Sequence, residues 1–310
     1  MQARRGDMRT VIALGGNALT RPEERGTYQE LQHNILNTCK SIQSILQHEV
    51  VIVSGSGPQI GNILLQNELA KGNVPSMPLH VLDAELEGEL GYMIQQGVKN
   101  VTRKPVITVI TQVLVDRHDP AFRKPTKFVG RFFSKQQAKE ISRTHKYMMR
   151  EDAGRGYRRV VASPQPIKII EKDAIHALLQ KKFVVIAVGG GGIPVTKKHQ
   201  HLHGRDAVID KDLAAACLAK GIKADQLIIL TGVDAVYRDF ATKRKKRLAR
   251  LTAKQAEQLL KQGQFPPGNM GPKIQASLQF LKAKGKKVVI TSPEKLKKAM
   301  QGKAGTVITP

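Results

Sequence analysis

The stretch Val184-Val185-Ile186-Ala187-Val188-Gly189-Gly190-Gly191-Gly192 constrains the fold of this chain more than any other. Five apolar residues, four of them β-branched, read as a buried strand, and the four glycines after them admit backbone that no residue with a side chain tolerates. A strand ending in bare backbone lets a charged ligand come close. Shortly after it, Asp210-Lys211-Asp212 precedes Leu213-Ala214-Ala215-Ala216, so charges stand at the start of a helix. The combination points to phosphate chemistry.

The same design recurs along the chain. Residues 10–14 form a strand running into Gly15-Gly16-Asn17, whose backbone and side-chain amides suit an oxyanion, although such a sequence also serves as a plain turn. Residues 50–53 form a second strand, followed by Ser54-Gly55-Ser56-Gly57-Pro58-Gln59 and a helix to residue 69. Strand, glycine-rich turn and helix present amides and a positive dipole end to an anion. The lysine of a Walker A loop is missing, and no G-x-G-x-x-G precedes a suitably placed acidic residue, so neither a P-loop nor a dinucleotide site is supported.

Apolar spacing predicts helices over 28–47, 82–97, 172–180, 211–220 and 252–260. Asp83, Glu85, Glu87 and Glu89 fall in the first turns of the second of these, where they favour the helix dipole. Strands over 106–111, 226–230, 288–290 and 306–308 bring the strand count near eight. Residues 119–168 differ: prolines at 120, 125, 164 and 166 and the run Arg155-Gly156-Tyr157-Arg158-Arg159 suggest an inserted, hairpin-rich lid. Lys127 is placed to swing from it over a site, though lysines in such segments more often face solvent. Pro266 to Pro272 break the chain before a helix from 274, leaving Lys273 at a helix N-terminus. A cation there opposes the dipole unless an anion lies between them.

The 310-residue chain carries a formal charge of +26, a field that draws anions. Its densest cluster, Lys243-Arg244-Lys245-Lys246-Arg247, reads as a solvated loop or a nucleic-acid contact. Aromatic residues at 4% with no tryptophan leave no evident stacking platform, which argues against nucleic acid. His199, His201 and His203 alternate, but no acidic or cysteine ligand is spaced to complete a metal site. Cys39 and Cys217 alone do not make a disulfide framework. No apolar run approaches the roughly 18–20 residues needed to cross a bilayer, so a cytoplasmic protein without membrane partners is expected.

Taken together the motifs resemble the carbamate kinases of the amino-acid kinase superfamily, nearly end to end. The carriers are Ala13-Leu14-Gly15-Gly16-Asn17-Ala18-Leu19, Gly57-Pro58-Gln59, Gly91-Tyr92-Met93-Ile94-Gln95-Gln96, Asp119-Pro120-Ala121-Phe122 and Glu151-Asp152-Ala153-Gly154-Arg155-Gly156-Tyr157. The glycine run, Asp210-Lys211-Asp212, Gly263-Gln264-Phe265 and Met270-Gly271-Pro272-Lys273 continue them. The resemblance implies an α/β fold: a three-layer αβα sandwich with a largely parallel central sheet and a projecting lid subdomain. It implies a carbamate-binding lobe over residues 1–220, including the lid at 117–168, and a nucleotide-binding lobe over 221–310.

The implied reaction is reversible phosphoryl transfer between ATP and carbamate. Lys127, Lys211 and Lys273 would surround the moving phosphoryl group and Asp212 would orient them. Gly15, Gly16, Asn17, Gly55, Ser56 and Gly57 would hold carbamate or phosphate. Gly189, Gly190, Asp210, Thr231, Asp234, Tyr237 and Met270 would serve the nucleotide. Mg²⁺ would travel with ATP or ADP, with no protein ligand assigned to it, and a homodimer is implied. The family carries His-Gly-Asn-Gly-Pro-Gln where this chain has Ser54-Gly55-Ser56-Gly57-Pro58-Gln59. That departure leaves a related kinase of another small carboxylate or carbamate-like acid open. A basic nucleic-acid-binding protein on a kinase fold is the remaining alternative.

Overall fold

The computed structural model describes residues 8–21, 24–56, 58–152, 154–240, 242–266 and 268–310. In chain order it contains β1 (Arg9–Leu14), α1 (Tyr28–Ile42), β2 (Glu49–Ser54), α2 (Gln59–Ala70), α3 (Leu79–Lys99), β3 (Val106–Thr108) and β4 (Gln112–Val115). The middle of the chain supplies β5 (Lys127–Phe133), α4 (Lys135–His145), β6 (Met149–Glu151), β7 (Tyr157–Val161), β8 (Pro166–Ile169), α5 (Lys172–Gln180) and β9 (Val184–Ile186). There follow β10 (Ile193–Lys198), β11 (His201–Gly204), α6 (Lys211–Gly221), β12 (Gln226–Leu230), β13 (Val236–Arg238), β14 (Lys246–Leu248), β15 (Arg250–Thr252), α7 (Ala253–Lys261) and α8 (Met270–Lys282). The chain closes with β16 (Lys287–Thr291), α9 (Leu296–Met300) and β17 (Thr306–Thr309).

Eight strands form the central sheet in the order β15-β17-β16-β12-β1-β2-β9-β3, every pair parallel except β16 with β17. Its strands bury both faces, and period-two alternation sorts their side chains between two cores. Val11, Ala13, Val51, Val53 and Val185 pack with α5, α6, α7 and α8; Ile12, Leu14, Val50, Ile52 and Val184 pack with α1, α2, α3 and α9. Helices on both faces of one sheet make the expected three layers. Strands from before and after residue 220 pair directly in it, β1 with β12.

The segment after β4 departs from a run of hairpins. It holds the antiparallel sheet β5-β7-β6 and also α4, whose Ser134 makes a capping box with Gln137. A further sheet, β11-β10-β4-β8, flanks the site. Pro272 does not delay α8: it stands in the first turn, where no amide donor is required, so the helix starts at Met270. α1 ends at Ile42 and residues 43–47 form turns. Among the described residues no helix is long and apolar enough to cross a membrane.

Candidate active site

In open parallel sheets, ligands bind beyond the carboxyl ends of strands where the strand order reverses. β1 is such a place, with β2 on one side and β12 on the other, and the register levels their ends: Leu14 lies beside both Ser54 and Leu230. Gly15, Gly55 and Thr231 therefore leave the sheet together. The Gly15 amide donates to Leu230 O at 2.8 Å and the Gly55 amide to Leu14 O at 3.0 Å. This corrects the expectation that their amides face a ligand: the ladder extends one residue further and takes both donors. Their value is the absent side chain. A Cβ on Gly55 would stand 2.8 Å from Lys211 Cδ, and one on Gly15 would stand 2.7 Å from Leu230 O.

Lys211 runs through the space Gly55 leaves. Asp210 caps α6, its Oδ1 accepting the Asp212 amide at 3.0 Å, which directs the following two side chains toward the strand ends. The Lys211 ammonium pairs with Asp212 Oδ1, while Lys273, in the first turn of α8, donates to Asp212 Oδ2 at 3.1 Å and to Asn269 O at 3.2 Å. Lys211, Asp212 and Lys273 are only 9%, 2% and 8% exposed. From the β5-β7-β6 sheet, Lys127 at the start of β5 reaches Asp210 Oδ2 at 3.0 Å. Asp210, expected on the nucleotide side, is thus the partner of Lys127 and the cap of α6.

Three ammoniums here face two carboxylates, an arrangement short of one negative charge. Burial pushes Asp212 up, but Lys211 and Lys273 outweigh it and hold the carboxyl down at about 2. Burial drives Lys211 below the ordinary lysine value, against the pull of Asp212. An anion beside these lysines supplies the missing counter-charge.

The glycine turn lies on the other side of β2. Val188 adopts φ 57° and Gly190, Gly191 and Gly192 adopt φ 68°, 107° and 81°, all left-handed. A Cβ on Gly191 would stand 2.2 Å from Ile209 O. Gly189 and Gly190 stand beside Ser54, Ser56, Leu86 and Glu87. β1 and β2 separate them from the strand that leads to Asp234, so the structure groups them with the β2 turn and not with Asp234 and Tyr237, beside which they were expected. Ser54 Oγ is fully buried there with no hydrogen-bond partner among the described residues.

Sequence reasoning missed the group that holds this turn. α3 begins at Leu79, so Glu87 lies in its third turn rather than at its dipole end. Its Oε1 accepts the Gly189 amide and its Oε2 the Thr111 amide, both at 2.9 Å. Thr111 Oγ1 then accepts the Val188 amide at 3.0 Å. An acidic residue on a helix buried by its apolar face was the available signal.

Burial pushes Glu87 up to about 7 against the lowering effect of those amides. The folded protein therefore holds a proton between pH 4.5 and about 7 that the unfolded chain has lost, and stability falls as pH rises through that window. Glu87→Gln removes the titration. Urea unfolding of both proteins across the window is expected to show wild type losing on the order of 3 kcal/mol relative to the variant. A difference that does not change with pH would show that Glu87 is ionised throughout.

On the far side of β1, Val233, Ala235, Tyr237, Phe240, Phe265 and Met270 line an apolar pocket, with Tyr237 OH donating to Asp234 Oδ1 at 2.9 Å. Asp234, Tyr237 and Met270 are brought together as expected; Thr231 stays at the sheet end, its amide on Thr291 O. Phe265 belongs to the Gly263-Gln264-Phe265 motif but was given no role from the sequence, and Phe240 was not singled out. Lys245 of the basic cluster lies 4.2 Å over the Tyr237 ring and 4.4 Å over that of Phe240, and Arg247 donates to Gly305 O at 3.1 Å. Lys245 therefore lies against two rings of this pocket, and Arg247 is held by the backbone just before β17. Gly16 opens a short 3₁₀ turn with no side-chain cap; the Asn17 side chain and Gly57 lie outside the described residues.

A sequence model of the amino acid kinase family matches residues 8–292. The chain is 42% identical to the carbamate kinase of Pyrococcus horikoshii, covering 97% of this chain and 99% of that one. To the carbamate kinase of Clostridium perfringens it is 43% identical, over 97% and 99%. Among solved structures it is similar to the carbamate kinase from Giardia lamblia bound to AMP-PNP, with a TM-score of 0.91, 41% identity and coverage of 98% and 99%.

Proposed function

The chain belongs to the amino acid kinase family, and from that premise we propose that it acts as a carbamate kinase through the buried lysines around Asp212. It transfers a phosphoryl group reversibly between ATP and carbamate. Toward ATP, a terminal phosphate oxygen of ADP attacks the phosphorus of carbamoyl phosphate, the bond from phosphorus to the carbamate oxygen breaks, and carbamate leaves with that electron pair. Carbamate arrives and departs as an anion, so no strong general base is required.

Lys211 and Lys273 neutralise charge gathering on the equatorial oxygens in flight, and Asp212, ionised at any working pH, keeps both ammoniums aimed. Lys127 delivers a third cation from the lid and moves between Asp210 and the phosphoryl group. Carbamate is held beyond the ends of β1 and β2, beside the Lys211 ammonium that passes over Gly55, by Gly15, Gly16, Gly55 and Ser56, with Asn17 and Gly57 the further substrate residues that the family motifs imply. The nucleotide base occupies the pocket of Tyr237 and Met270, near Asp234. Among the described residues no three His, Cys, Asp or Glu side chains converge to hold a metal ion, and both oxygens of Asp210 and of Asp212 already have partners. These residues suit Mg²⁺ carried in by the nucleotide phosphates, where it screens their charge. A cytoplasmic homodimer fits this reading.

The observation that carries it is the buried triad of Lys211, Asp212 and Lys273. Carbamoyl phosphate, ADP and Mg²⁺ are expected to yield ATP in a coupled assay. Output no higher than that of Lys273→Ala would overturn the assignment.

A further inference from the structure

The hairpin of β10 and β11 leaves the glycine turn and returns the chain to Asp210. Its register sets Thr196 opposite His203 and Lys198 opposite His201, so these share one face. β4 runs parallel along the other edge of β10, with Val195 beside Leu114, and the loop leaving β4 brings Arg117 and His118 to the hairpin. Arg117, His118, Lys197, Lys198, His203 and Arg205 line an open groove of about 540 Å³.

Among the described residues no carboxylate lines it. Of the two adjacent in sequence, Asp116 stands at the groove's edge with its Oδ1 accepting the His118 amide, and Asp206 is turned to His80, its Oδ1 pairing with Nδ1, each at 2.9 Å. Among the described residues Arg117, Lys197 and Lys198 have no ion pair, while the Arg205 guanidinium lies 4.9 Å over Phe122. Cations held together without counter-charge repel one another, and concave low-dielectric walls focus their field. Guanidinium forks beside ammoniums match phosphate oxygens.

We infer that this groove is a second anion site, separate from the catalytic lysines, that takes a small compound bearing several phosphate charges. Its volume is that of a small-molecule site. Among the described residues no phenylalanine, tyrosine or tryptophan lines it, which sets it apart from a single-strand nucleic-acid channel built on such rings.

The test is calorimetric titration of inorganic triphosphate into the full chain at low salt, with the catalytic site filled by one equivalent of ADP. One triphosphate per chain is expected to bind, and affinity to fall as salt rises. Lys197→Ser with Lys198→Ser, both exposed and remote from the catalytic cluster, is expected to weaken binding at least about tenfold while carbamate kinase activity is unchanged. Absence of binding in the presence of ADP, or equal binding by that variant, would overturn the site. So would displacement of triphosphate by a single-stranded oligonucleotide at lower concentration, which would assign the groove to nucleic acid.

Discussion

Lys211→Met lowers kcat for ATP formation by about a thousandfold or more, with KM for ADP within a few fold of wild type. Methionine keeps the length of the stem that fills the space above Gly55, and Lys273 still satisfies Asp212, so the site loses a charge and little packing. The effect falls on the transition state because the charge it answers is concentrated there, in a site from which water is excluded. Steady-state kinetics of the purified variant, with a urea titration to show an unchanged m-value, decide the matter. A kcat within tenfold of wild type would remove Lys211 from the catalytic group.

Asp212→Ala has its largest effect on stability. It leaves two ammoniums buried side by side with no carboxylate between them. Breaking a buried pair in this way costs about 3–5 kcal/mol. A carboxyl held at about 2 contributes stability that is complete above its ordinary value of 3.8 and is lost as pH falls through 2. The deficit of Asp212→Ala is therefore constant from pH 5 upward. Adding Lys211→Met to it removes one of the stranded charges and should restore part of the loss, an interaction visible in a double-mutant cycle. Additive deficits would mean that the two residues are not coupled.

The central sheet was legible because each of its long strands carries an unbroken apolar run closed by glycine, serine or threonine, a local signal. Lys211 and Lys273 were legible as candidates only through the motifs around them, since nothing in Pro272-Lys273 by itself says that Lys273 meets Asp212 across the site. Glu87 was misread for a related reason. Its partners, Thr111 and Gly189, are contributed by two separate loops, and a carboxylate bridging two backbone amides leaves no periodic trace in sequence. The amides of Gly15 and Gly55 were expected free and are not, since they bond Leu230 O and Leu14 O. Whether an amide is free depends on how far the neighbouring strand runs, and that is set by register. α4 was hidden because its surface is almost wholly polar, with Ala138 the only buried residue among those described.

The position of β1 also governs how the chain comes off the ribosome. One edge of that strand is covered once β2 has been made, but its other neighbour, β12, lies 216 residues further along, as the bond between Thr10 and Gln226 records. At about 5–20 residues per second the first strand waits roughly 10–40 s with its backbone unpaired on that side. A nascent chain is therefore most exposed to aggregation during synthesis of the lid and the glycine turn, and chaperone occupancy should persist until the ribosome has passed residue 230.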